Sequence, residues 1–113
     1  MERVAFLRSK IEQVMKAYLE ELNQSSNETI RFESVIDPNG QHFQIIALGW
    51  ENEKRVFNLL FHLDIIDGKI WVQEDKMENS IAELLVEHGV SKKDIVLAYF
   101  PEYHRQFTEY AVD

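Results

Sequence analysis

Apolar residues recur at spacings of three and four near the start of the chain: Val4, Leu7, Ile11, Val14, Met15, Tyr18 and Leu22. On a 3.6-residue period they form one stripe, with Arg8, Lys10, Glu12, Lys16 and Glu20 off it. Residues 2–22 therefore predict an amphipathic helix packed on a sheet. The polar run from Asn23 to Asn27 ends it. The period then changes to two. Ile30, Phe32, Ser34 and Ile36 fall on one face of a first strand, with Arg31, Glu33 and Val35 on the other. Asp37-Pro38-Asn39-Gly40 reads as a tight turn, because proline presets φ at its second position and glycine tolerates positive φ at its fourth. Residues 41–50 return as a second strand, and residues 51–54 form a polar turn.

The pattern is plainest over residues 55–73. Phe57, Leu59, Phe61, Leu63 and Ile65 alternate onto what reads as the core face of a third strand. Asp67-Gly68 suits a two-residue type I′ connection. It sets Ile66 opposite Lys69, Ile65 opposite Ile70 and Leu63 opposite Val72, which keeps apolar residues together on one side. The other side carries Asn58, His62, Asp64, Trp71 and Gln73, with Asp64 opposite Trp71 and His62 opposite Gln73. A tryptophan among polar groups suits a protein interface. The alternative is that a loop or the C-terminal segment of the same chain covers Trp71.

A second helix is predicted from near Met77 to His88. Asp75 and Glu78 resemble a capping box, and Met77, Ile81, Leu84, Leu85 and His88 share a face. Gly89 stops it, with Val90 closing back on Leu85. Ser91-Lys92-Lys93-Asp94 reads as a serine-capped turn. Residues 95–100 read as a fifth strand or extended segment stopped by Pro101, and residues 102–113 as a helical turn with an extended end. Successive strands flanked by helices give an α+β fold. Its antiparallel sheet of four to five strands packs against the N-terminal helix and the helix of the C-terminal half.

Composition narrows the function. At 113 residues, with 45% hydrophobic residues, the chain fits one domain with its own core. The absence of cysteine removes disulfides, thiolate metal sites and cysteine nucleophiles, and fits a reducing compartment. Charge enters the first turn at Glu2 and Arg3, unlike a signal peptide, and apolar runs such as residues 45–48 are far too short for a bilayer. The expected location is the cytoplasm, with no membrane partner. A net charge of −8, with scattered lysines and arginines, argues against strong direct nucleic-acid binding, though an acidic face can dock a basic protein.

Motifs of catalysis are absent. The glycines are taken up by turns, a helix stop and a strand end, and there is no Walker, dinucleotide, nucleophile-elbow or His-Glu-x-x-His pattern. His62 and Asp64 share a strand face and form a fragment of an acid–base pair or half a metal site, but no third ligand or nucleophile stands beside them in sequence. His104-Arg105 reads as an exposed basic pair suited to a carboxylate. No catalytic residue, metal or cofactor is expected. Asn58, His62, Asp64, Trp71 and Gln73 are the candidate partner interface.

One longer pattern is more specific. The string from Asp64 to Gln73 (DIIDGKIWVQ), followed by Asp75, Glu78, residues 81–86 (IAELLV), Gly89-Val90 and residues 94–97 (DIVL), is similar to the XisI family. So are Gly49-Trp50, Arg55-Val56, Pro101, Arg105 and residues 107–111 (FTEYA). This family of fdxN-element excision controlling factors is abundant in cyanobacteria. The resemblance implies a non-catalytic regulator of programmed DNA-element excision, in which a separate recombinase cuts and joins. It also implies action with a XisH-like protein of nuclease fold, and it brings no catalytic residues. Two other readings stay open: an acidic, antitoxin-like partner that restrains a nuclease-fold protein, and an enzyme centred on His62 and Asp64. A homo-oligomer is compatible with each.

Overall fold

The computed structural model describes residues 2–25 and 28–113. The N-terminal stripe forms α1 (Arg3–Ser25), and of the expected Asn23–Asn27 stop, Ser26 and Asn27 lie outside the described residues. Four strands follow: β1 (Ile30–Ile36), β2 (His42–Glu51), β3 (Lys54–Ile66) and β4 (Lys69–Asp75). The chain then makes α2 (Ile81–Glu87), a single 3₁₀ turn at Lys92–Asp94, β5 (Ile95–Leu97) and α3 (Glu102–Arg105). The strands lie in the order β1-β2-β3-β4-β5. The first four pair antiparallel in succession, as expected, whereas β5 runs parallel to β4. The physical reason is α2: a helix between two neighbouring strands carries the chain back to the end from which β4 started.

The predicted turns hold. Gly40 N–H donates to the Asp37 carbonyl at 3.0 Å, closing the first turn. Asp67 and Gly68 both have positive φ, at 50° and 74°, as a type I′ hairpin requires. The α2 stop is a Schellman motif, with Val90 N–H donating to Leu85 and Gly89 N–H to Val86, each at 3.0 Å. The start of α2 differs from expectation. Ser80, not Asp75, is its N-cap and accepts from Glu83 N–H. Asp75 instead accepts from Met77 and Ile81 N–H, both at 3.0 Å, and pins the connection that leads into the helix.

One face of the sheet carries the core. Leu7, Ile11, Val14 and Met15 of α1 and Ile81 and Leu85 of α2 pack with Phe43, Ile45, Phe61, Leu63, Ile70 and Val72. Each of these is essentially inaccessible to solvent. Arginines tie α1 across the turns: Arg8 donates to the Gly40 carbonyl at 3.0 Å, and Arg3 to Gly68 at 2.6 Å and to the Asp94 carboxylate. At the β1 edge the Asn23 amide bonds both backbone groups of Phe32, at 3.0 and 3.2 Å, covering donors and acceptors that would otherwise invite another strand. Among the described residues no helix is long and apolar enough to cross a membrane.

Two bulges change which residues face outward. In β2–β3, Ile45 lies opposite Phe61 but Ile46 opposite Leu59, so Leu60 has no cross-strand partner. In β3–β4, Leu63 lies opposite Val72 but His62 opposite Glu74, leaving Gln73 unpaired. A bulge inverts the alternation on its strand. Phe57 and Leu59, predicted for the core face, therefore lie on the outer face with Leu48 and Ile46, and Phe57 is 63% exposed. Asn58, predicted for the outer face, lies opposite the buried Ala47 and so projects to the other side. His62 faces Glu74 rather than Gln73.

Candidate functional site

The outer face of β2, β3 and β4 gathers a cluster of polar side chains. Antiparallel pairing sets His42 opposite Asp64 and Gln44 opposite His62, so two histidines from adjacent strands flank one carboxylate. His42 Nδ1 lies 2.6 Å, and His62 Nε2 2.7 Å, from the same oxygen, Asp64 Oδ1. Gln73, freed by its bulge, donates to Asp64 Oδ2 at 3.1 Å. Gln44 Nε2 donates to His62 Nδ1 at 2.8 Å, which leaves the proton of that ring on Nε2, where Asp64 accepts it.

Asp64 is the hub. Its side chain is 13% exposed, against 57% for His42. Burial opposes ionisation of Asp64, but hydrogen bonds from His42 and His62 prevail and hold the carboxyl below its usual range. The same contact raises His42 above the ordinary histidine range, against the smaller effect of burial. Two imidazoles around a carboxylate can relay protons or ligate an ion.

Of the five residues expected on this surface, the structure brings His62, Asp64 and Gln73 together, holds Trp71 beside them opposite Asp64, and sends Asn58 to the other side. The sequence reading missed His42, the third member of the cluster. Its signal was the β2–β3 register, hidden because the pairing passes through a bulge. Below Leu60 the same face becomes apolar, with Ile46, Leu48, Phe57 and Leu59.

The C-terminal segment covers part of this face. Ala111 bridges to the buried Val96 of β5, and the Arg105 guanidinium lies 5.4 Å from the centre of the Trp71 ring. Trp71 is thus half-buried within its own chain. Arg105 does not meet a carboxylate: it donates to the carbonyls of Phe100, Val112 and Ala98 at 2.9, 3.2 and 3.4 Å, while His104 stacks on Phe100. Replacing Arg105 with alanine should release the tail and expose Trp71. In a Trp50→Phe background, which leaves Trp71 as the sole tryptophan, its emission should move to longer wavelength and quench more readily, with a stability loss of about 1–3 kcal/mol. Unchanged emission and unfolding midpoint would mean that other contacts hold the tail.

Comparison with known proteins gives a consistent pattern. The chain matches the XisI protein family over residues 1–112. A XisI-like protein from Anabaena variabilis shares its structure with a TM-score of 0.87 at 30% identity, over 97% of this chain and 99% of that one. The solved fdxN element excision controlling factor XisI, also from Anabaena variabilis, matches with a TM-score of 0.79 at 28% identity, over 99% of this chain and 100% of that one. No curated protein matches the sequence.

Proposed function

The chain belongs to the XisI family, and from that premise we propose that it is a non-catalytic regulatory protein that controls excision of a DNA element by binding a XisH-like protein. The observation that carries this reading is the full-length similarity to a solved excision controlling factor. Charge supports action through a protein: at −8 the chain has little to offer a phosphate backbone, and a separate recombinase would supply the DNA contacts. The outer sheet face supports a docking role. Ile46, Leu48, Phe57 and Leu59 form an apolar area beside the Asp64 cluster, and Phe57 gains nothing for the core from its 63% exposure. An apolar centre with a polar rim is the composition of a protein interface.

The test is co-expression with a XisH-like protein from the same genome, with complex mass measured by light scattering. A mixed complex is expected, and Phe57→Asp should weaken it by at least about tenfold, an effect of ~1.4 kcal/mol, because an ionised carboxylate would be desolvated at the centre of the contact. Asn58→Asp, on the opposite face, should leave it intact. If the chain self-associates and ignores the XisH-like protein, the partner reading is wrong. If the XisH-like protein is toxic only when this chain is missing, the regulation is restraint of a nuclease.

A further inference from the structure

The Asp64 cluster carries a chemistry that partner docking does not use. Among the described residues, His42, His62 and Asp64 are the one group of three such side chains whose donor atoms, all within 4.8 Å of one another, could share an ion. The donors are two imidazole nitrogens and a carboxylate oxygen. That set suits zinc and its neighbours in the first transition row, whereas calcium and magnesium take shells of oxygen.

The geometry is close to what such an ion needs. Bonds of about 2.0–2.1 Å in a tetrahedral shell set neighbouring donor atoms roughly 3.3 Å apart. Here the nitrogens stand 2.6 and 2.7 Å from Asp64 Oδ1, the spacing of two hydrogen bonds converging on one oxygen. Small side-chain rotations open that spacing, and the backbone need not move, because the three residues sit on two strands paired directly at His42–Asp64 and Gln44–His62. The supporting contacts are present as well. Ligating histidines usually give their other ring N–H to a neighbouring oxygen, which fixes the ring. Gln44 lies 2.8 Å from His62 Nδ1, and a half-turn of its carboxamide would present Oε1 there. Gln73 holds Asp64 Oδ2 at 3.1 Å, which leaves Oδ1 directed at the histidines. The exposure of His42 leaves one side of the site open to water or to a group from a partner.

We propose that His42, His62 and Asp64 form a binding site for a divalent transition-metal ion of the zinc class, oriented by Gln44 and Gln73. The site stands on its own residues and does not depend on the XisH-like partner.

The test uses the untagged full chain, stripped with chelator, titrated with Zn²⁺ by calorimetry and with Co²⁺ by absorption. One ion per chain is expected, with the intense visible bands of four- or five-coordinate Co²⁺. His42→Ala, His62→Ala and Asp64→Asn should each weaken binding by at least about tenfold, whereas His88→Ala and His104→Ala should not. Circular dichroism and the metal-free unfolding midpoint of each variant separate a lost ligand from a lost fold. Failure to bind near one equivalent, binding that survives all three substitutions in folded protein, or the faint spectrum of hexa-aqua Co²⁺ would each overturn the proposal. Partner binding is read separately through Phe57→Asp, so either idea can fail alone.

Discussion

Replacing Phe61 with alanine should lower stability by about 3–5 kcal/mol, whereas the same change at Phe57, four residues away on the same strand, should cost within about 0.5 kcal/mol. Phe61 is fully buried, lies opposite Ile45 and is among the largest side chains of the core beneath α1 and α2. Its removal loses the transfer energy of the ring and leaves a void that the two strands and two helices can close only in part. Against a typical total of roughly 5–15 kcal/mol, that is enough to leave a substantial unfolded population in a weakly stable domain. Phe57 is 63% exposed and fills no such space. Urea unfolding read by circular dichroism gives both values. A shift in midpoint with an unchanged slope marks a stability effect alone. Equal costs at the two positions would mean that β3 has no bulge at Leu60 and that its alternation runs unbroken.

Alanine at Gly49 should cost about 2–4 kcal/mol and open the far end of the β1–β2 pair. Gly49 has φ +149°, a backbone conformation that L side chains rarely adopt. A Cβ there would lie 1.9 Å from the Thr29 carbonyl oxygen and 2.9 Å from its carbon. Neither atom is the end of a flexible side chain, so the backbone itself has to shift. The same carbonyl accepts from Trp50 N–H at 3.0 Å, and Gly49 lies opposite Ile30, so the shift breaks the first contacts of β1 with β2. The cost combines backbone strain with overpacking. It is limited because β1 is an edge strand and can peel back instead of carrying the strain into the core. Hydrogen exchange should show faster exchange at Trp50 while the amides of β3 and β4 stay protected. Unchanged protection at Trp50 in a fully stable Gly49→Ala protein would contradict the close approach of Thr29.

The two predictions bear on the outer face from different directions. The Phe57 and Phe61 pair fixes where the alternation of β3 inverts, and so which residues are open for a partner. The Gly49 change tests how β1 is anchored beside Leu48, at the border of the apolar area. A partner that leans on Leu48 and Phe57 should bind the Gly49→Ala protein less well than its global stability alone would suggest.

What the sequence determined by itself was local. The 3.6-residue stripe of α1, the Asp37–Gly40 turn, the Asp67-Gly68 hairpin with its register at Ile65–Ile70 and Leu63–Val72, and the Gly89 stop all depend on chemistry within a few residues, and the structure repeats them. The likeness to the XisI family was also legible, because its residues lie in continuous strings. The tertiary structure alone decided the rest. Residues 56–61 read Val-Phe-Asn-Leu-Leu-Phe, with apolar residues in both phases of the alternation, so the pattern could not say where a slip occurs; the adjacent Leu59, Leu60 and Phe61 were the sole hint. Packing of Phe61 under the helices selected one phase, and this turned Phe57 outward and Asn58 away. Likewise His42 and Asp64 are 22 residues apart, and their contact is set by β2–β3 pairing rather than by either strand's own pattern. Local propensities choose the elements, but which residues meet on a sheet face depends on long-range register, and one extra residue in a strand reverses it.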